Sequence, residues 1–229
     1  GAIPELSFTR MDRDTTGNKL SHYKLVKAME QGRTDILLGT QMIAKGHDFP
    51  DVTLAAVISA DIALNMPDFR SGERAFQLFT QLAGRAGRGN IPGRAYIQTY
   101  EPDHYAFEYV IDHNYRKFYD NEIQMRKELG YPPFNRLLRI IFSFRTKAQG
   151  QSIASALTGI VRKIKHRNIE ILGPAPAPVE KIKSLWRWHI ILKGQNAKSL
   201  REVADSIHTR LAEMKEIRID IDVDPVNLM

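Results

Sequence analysis

The feature that most constrains this fold is a break, Gly130-Tyr131-Pro132-Pro133. A glycine followed by two prolines stops a helix, because proline has no N–H and forces the residue before it out of the helical region. The apolar residues recur differently on its two sides. Before it, short runs such as Ile36-Leu37-Leu38 and Val52 to Ile58 (VTLAAVI) are separated by helical patterns. Bounded apolar runs of this kind read as strands buried on both faces. The pattern predicts strands at 6–11, 36–38, 53–58 and 95–99. It also predicts helices over 18–31 and 71–86, and a long helix from Glu101-Pro102-Asp103 to about Leu129. Such βαβ alternation implies a parallel sheet with helices on both faces.

After the break the period becomes two. Leu138, Ile140, Phe142 and Phe144 alternate with Arg139, Ser143 and Arg145, as in a half-buried strand. Ile153, Leu157, Ile160 and Ile164 mark a helix, 169–172 a short strand, and 174–183 a proline-rich loop. Trp186, Trp188, Ile190 and Leu192 share one strand face; Leu200, Val203, Ile207 and Leu211 mark a second helix; Ile217, Ile219, Ile221 and Val223 a last strand. The order βαββαβ predicts a ferredoxin-like sandwich with both helices on one face and the other face open. The expected fold is therefore α/β: an incomplete parallel-sheet lobe over 1–132, then a small α+β ferredoxin-like domain over 133–229.

Charge divides at the same place. Residues 1–132 hold 16 basic and 17 acidic side chains, a net of −1, and residues 133–229 hold 17 and 9, a net of +8. From Phe134 to Ile169 there are eight Lys or Arg and no Asp or Glu. A one-signed stretch of this kind is an electrostatic footprint for nucleic acid. If the two tryptophans face the helices, alternation puts Arg187, His189 and Lys193 on the open face, with Arg139 and Arg145. Asp220 and Asp222 fall on the same face of the last strand, which in this topology lies beside the first. Arg139 and Arg145 therefore either pair with those aspartates or contact DNA. Arg187 and Lys193 have no such obvious partner and rank higher for DNA. Lys181 and Lys183, on the expected loop, either wrap a phosphate backbone or stand in solvent. Trp186 and Trp188 either pack in the core or stack on bases.

The composition excludes several classes. There is no cysteine, hence no disulfide framework and no thiolate metal site. The seven histidines show no metal-ligand spacing, so no metal site is expected. No apolar run is long enough for a bilayer and no signal peptide is apparent, so a cytoplasmic setting without membrane contact is expected.

Two motifs carry chemistry. Residues 81–89 read QLAGRAGRG, which fits Q-x-x-G-R-x-G-R. Residues three apart share a helix face, so Arg85 and Arg88 are expected to project together. Two forked guanidiniums suit a polyphosphate, and such an arginine can stabilise a transferring γ-phosphoryl group. Residues 39–50, GTQMIAKGHDFP, follow the strand at 36–38, and ligands of open α/β sheets sit at that end of a strand. The chain has no G-x-x-x-x-G-K-[ST] loop and no DEAH-type acid pair, the parts that cradle phosphates and hold Mg²⁺.

These two motifs resemble motifs V and VI of superfamily 2 helicases. GTQMIAKGHDFPDVTLAAVISAD, PDFRSGERAFQLFTQLAGRAGRG and the late DVDP resemble, more closely, the PriA family of primosomal replication-restart DNA helicases. DEAD-box RNA helicases usually carry a His-Arg pair where this chain has Gln81-Leu82. The resemblance implies a RecA-like lobe and a C-terminal fragment of a longer protein, inactive by itself as an ATPase. By the same resemblance Arg88 is the arginine finger, Arg85 a second γ-phosphate contact, and Gln81 part of that motif. Gly46 and Asp48 approach the nucleotide, Asp48 at a ribose hydroxyl. Lys45 and His47 have supporting roles only, and Thr40 contacts the nucleic-acid backbone. It further implies ATP and Mg²⁺ bound mainly by a missing lobe, and zinc in an upstream Cys-rich region. It also implies 3′-to-5′ movement on forked and single-stranded DNA, with single-stranded DNA-binding protein and other primosome proteins as partners. Two alternatives remain: a non-catalytic nucleic-acid-binding module built on a degenerate lobe, and a helicase acting on RNA.

Overall fold

The structure is a computed structural model that describes residues 6–12, 19–44, 49–163, 168–212 and 217–228. The chain forms two compact units. One comprises Gly1–Asn65 and Gly72–Tyr115; the other comprises Met66–Ser71 and Arg116–Met229. The helix before the Gly130 break thus goes with the second unit, and the break itself lies inside that unit.

In the first unit, strands β1 (Phe8–Met11) and β2 (Ile36–Gly39) pair in parallel, with helix α1 (Lys19–Glu30) between them in sequence. Strands β3 (Leu54–Val57) and β4 (Arg94–Ile97) form a second parallel pair, Leu54 opposite Arg94 and Val57 opposite Ile97. The connection between them carries helices α2 (Asp61–Leu64) and α3 (Ser71–Ala83). Parallel neighbours need such crossovers. Helix α3 buries Gly72, Ala75, Phe76 and Phe79, the i, i+3, i+4, i+7 stripe of an amphipathic helix. Phe79 stacks on Phe107 of α4 (Tyr105–Ile111) with ring centroids 5.5 Å apart. Thr99 donates through Oγ1 to Asp61 Oδ1 at 2.8 Å, which ties the exit of β4 to α2.

The long helix expected up to Leu129 is two helices, α4 and α5 (Tyr115–Glu128). Asp112 caps α4, and His113 has φ +50°, so the chain turns without any proline. Helix α3 is also shorter than expected and ends at Ala83, just before Gly84.

In the second unit, strands β5 (Arg136–Phe144), β6 (Ile169–Ile182), β7 (Leu185–Gly194) and β8 (Arg218–Val223) form an antiparallel sheet of order β6-β7-β5-β8. Helices α6 (Lys147–Lys163) and α7 (Ala197–Ala212) complete the βαββαβ order. The last strand lies beside the first, as a ferredoxin-like sandwich requires. Leu138, Ile140, Phe142 and Phe144 of β5 form the main core with Ile190, Leu192, Ile153, Leu157, Leu200, Val203 and Ile207. Trp186 and Trp188 pack against this core, on the face that alternation assigned to them.

Two expectations for this unit fail. The proline-rich stretch expected as a loop is the second half of β6, an edge strand with irregularities between Leu172 and Ala175 and between Pro176 and Lys181. An edge strand tolerates proline because the missing N–H faces outward. The second sheet face is also not open. Leu137, Ile191 and Leu228 are buried on it, packed with Phe69, Tyr131 and Leu172. A strap from early in the chain (Met66–Ser71), the turn at Tyr131 and the segment after β8 cover it.

Candidate functional site

The glycines of QLAGRAGRG decide the geometry around its arginines. Helix α3 stops at Ala83, and the chain then turns: the amide of Gly84 donates to Thr80 O at 3.1 Å and that of Arg85 to Leu82 O at 3.0 Å. Arg85 and Arg88 therefore stand on a turn after α3. The expected placement on one helical face is corrected, because glycine lowers helix propensity and is enriched where helices end. Gly87 has φ +76°. A Cβ there would lie 2.4 Å from the amide of Gly93, and one on Gly93 would lie 2.2 Å from the amide of Gly87. A Cβ on Gly89 would lie 2.6 Å from the carbonyl of Pro50. The amide of Gly87 donates to Val52 O at 2.9 Å. The turn carrying the arginines is thus close-packed, backbone on backbone, against residues 50–52, where GTQMIAKGHDFP ends. Arg88 is exposed and donates through Nε to Gly84 O at 2.8 Å, while Arg85 is half-buried. Gln81 is exposed in the last turn of α3.

Thr40 is exposed immediately after β2, and its carbonyl accepts from the amide of Ile43 at 3.1 Å in a short 3₁₀ turn, Gln41–Ala44. Gly39 before it could carry no side chain, since a Cβ would lie 2.3 Å from Met11 O. Gly46 and Asp48, with Lys45 and His47, lie outside the described residues.

The basic residues of the second unit separate into two groups. Arg139 is only 1% exposed. Its Nε donates to His189 Nδ1 at 3.2 Å, and Asp222 stands opposite it across β5–β8. Burial lowers the affinity of its guanidinium for a proton, Arg187 adds to this, and Asp222 and Asp68 oppose it. Burial, with Arg139 and Arg187 nearby, pushes His189 down to about 4, so it stays neutral and can accept from Arg139. Lys193 is 6% exposed; its ammonium donates to Leu129 O at 2.7 Å, pairs with Glu170 at 2.8 Å, and lies 4.6 Å from the Tyr131 ring. The assignment of Arg139 and Lys193 to a DNA-facing surface is therefore corrected. Both are enclosed by the covered sheet face, and Lys193 has the partners that alternation could not reveal.

The second group lies where β5 ends, α6 begins and the β6–β7 hairpin closes. Phe144 and Lys181 are both register partners of Trp186. Arg145, Lys181 and Lys183 are exposed, and Arg187 is half-buried with Nη1 3.4 Å from Val179 O. Lys147 Nζ lies 4.5 Å and Lys181 Nζ 5.2 Å from the Trp186 ring centroid, within cation–π range. Lys183 and Ser184, with φ +47° and +67°, form the two-residue turn between β6 and β7. A hairpin turn with both φ values positive matches the twist of its strands. The lysines expected on a flexible loop are thus carried by a paired hairpin. Lys147 was missed; its only sequence signal is its place in the acid-free stretch from Phe134 to Ile169.

Among the described residues, no group of three or more His, Cys, Asp or Glu side chains is placed to hold a metal ion. No described helix is long and apolar enough to cross a membrane.

Comparison with known proteins finds two family matches. The helicase conserved C-terminal domain matches residues 5–90, and the primosomal protein N C-terminal domain matches residues 127–226. The chain is 41% identical over 230 aligned residues to the replication restart protein PriA of Bacillus subtilis, covering 99% of this chain and 29% of that protein. It is 36% identical to that of Synechocystis (99% and 27%) and 34% identical to that of Haemophilus influenzae (99% and 31%). A hydantoinase/carbamoylase family amidase from Burkholderia ambifaria aligns over 39% of this chain and 27% of its own, at TM-score 0.27 and 10% identity, too weak a likeness to carry an argument. The chain therefore spans about 30% of the length of these curated relatives, each a replication restart protein PriA, while its similarity to each of them runs over 99% of its own length.

Proposed function

We propose that this chain supplies the nucleotide-closing arginines and a DNA-binding domain to an ATP-dependent DNA helicase that restarts replication at stalled or abandoned forks. The observation that carries this reading is the glycine-packed turn at residues 84–89. Two close backbone approaches, Gly87 to Gly93 and Gly89 to Pro50, support a fixed exit for Arg85 and Arg88, and fixed donors stabilise developing charge without reorganising. Arg88 is the arginine finger, Arg85 a second contact to the γ-phosphate, and Gln81 their companion in the motif. Gly46 and Asp48 line the nucleotide. When bound, ATP would supply the transferable phosphoryl group and Mg²⁺ would neutralise charge on its phosphates, both held mainly by parts of the protein outside this chain. Thr40 grips a nucleic-acid backbone. Arg145, Lys181, Lys183 and Arg187, joined by Lys147, hold the phosphates of fork or single-stranded DNA. Movement 3′ to 5′, a cytoplasmic setting and assembly with single-stranded DNA-binding protein and other primosome proteins complete the reading.

The test is Arg88→Ala in the full-length protein. A finger contribution of about 10³-fold in the rate of ATP hydrolysis is expected, with DNA affinity kept. Hydrolysis at the wild-type rate would remove Arg88 from the role.

A further inference from the structure

The strap Met66–Ser71 is peptide-bonded at both ends to the first unit, yet its own contacts are in the second. It follows α2 and leads directly into α3, whose first residue is Ser71. Its anchors are specific. Asp68, 7% exposed, accepts from Leu228 N at 3.0 Å and from Arg70 N at 2.9 Å. Phe69 stacks on Tyr131 with centroids 5.2 Å apart and planes 6° apart. The guanidinium carbons of Arg70 and Arg126 lie 4.9 and 5.2 Å from the Phe69 ring centroid. Arg70 also donates to the carbonyl of Val226. The strap is thus held by a stacked ring with two guanidiniums beside it and by a buried carboxylate on a distant amide.

We propose that this strap couples the two units: it transmits engagement of the basic domain by a nucleic-acid backbone to helix α3, and through α3 to the turn bearing Arg85 and Arg88. Six residues span at most about 20 Å even fully extended, and these six are pinned at their centre. There is little slack to absorb a shift of the second unit. Helix α3 is hydrogen-bonded along 13 residues, about 20 Å, and is gripped by Phe76 and Phe79, so it moves as a rod. Asp68, Phe69 and Arg70 are positioning residues in this scheme. They touch neither nucleotide nor DNA.

This inference rests on the helicase reading, and the experiment separates the two. In the full-length protein, ATP hydrolysis is measured with and without a forked DNA, and affinity for the same fork by fluorescence anisotropy. Phe69→Ala is expected to keep basal hydrolysis and fork affinity within about twofold while DNA stimulation falls at least about fivefold, the lower end of measured couplings. Phe69→Tyr, which keeps the stacked ring, is expected to restore it. Full stimulation in Phe69→Ala with unchanged affinity overturns the strap and leaves the helicase reading standing. A wild-type protein whose hydrolysis ignores DNA overturns both. If Phe69→Ala fails to fold or loses the fork, Arg70→Gln decides instead: it removes the Val226 bond and one cation–π contact, and undiminished stimulation overturns the proposal.

Discussion

Replacing Gly87 by alanine separates two costs that the structure distinguishes by position. At φ +76° an alanine pays the left-handed penalty of about 1–2 kcal/mol. Its Cβ would also sit 2.4 Å from the amide of Gly93, whereas ordinary contact begins at 3.4 Å. The turn must therefore open by about 1 Å, and Arg88 moves with it. A displacement of about 1 Å in a group that acts on the reacting phosphate costs on the order of 10²-fold in rate. Gly32 is the internal control. It has φ +64°, but nothing lies within 4 Å of the place its Cβ would take. Gly32→Ala should lose about 1–2 kcal/mol of stability with hydrolysis kept. Gly87→Ala should lose at least that much stability and about 10²-fold in hydrolysis. Chemical denaturation of this chain reads the first quantity, and steady-state ATP hydrolysis by the full-length protein reads the second. If Gly87→Ala hydrolyses ATP within about twofold of wild type, backbone packing does not set the arginine geometry.

The surface and enclosed lysines should behave oppositely. The double substitution Lys181→Ala, Lys183→Ala is expected to reduce the salt dependence of duplex DNA binding by about 1.8 in log–log slope, while Lys193→Ala leaves the slope alone; equal slopes for both would refute the division. Lys193→Ala is instead expected to destabilise by about 1–3 kcal/mol in denaturant titrations, since it strands the carbonyl of Leu129 and one side of Glu170. The pH dependence has a defined sign: His189 titrates near 6.5 when unfolded and near 4 when folded. The unfolded chain therefore takes up the proton first, and stability is lost as pH falls from about 6.5 towards about 4. His189→Gln should flatten that limb of a stability-versus-pH curve, and an unchanged limb would refute the assignment.

What could be read from sequence followed the reach of each signal. The alternation from Leu138 to Phe144 identified the core face of β5, and the same parity placed Trp186 and Trp188, because strand periodicity reports the nearest packed layer. It did not report the second layer. Met66–Ser71 has no period of its own and is separated by some sixty residues of sequence from the Tyr131 ring it meets, so Arg139 and Lys193 looked exposed. The segment at 174–183 read as a loop because proline cannot complete a ladder, an argument that holds for inner strands and fails at an edge. Arg85 and Arg88 were singled out by residue type and spacing. Their helical placement failed because the same glycines that define the motif end α3, and because two of the partners that fix the turn, Pro50 and Val52, are remote in sequence.

The edge position of β6 has a further consequence for solubility. An antiparallel sheet ends in rows of unpaired donors and acceptors that can recruit a strand from another molecule. In β6 that row is interrupted at Pro174, Pro176 and Pro178, and the ladder is irregular there. At the opposite edge, β8 carries Arg218, Asp220 and Asp222 along one side. A visiting strand would find missing donors at one edge and buried-charge costs at the other. The prolines that disguised β6 as a loop thus protect a basic domain with exposed Val179 and Ile182 from edge-to-edge aggregation.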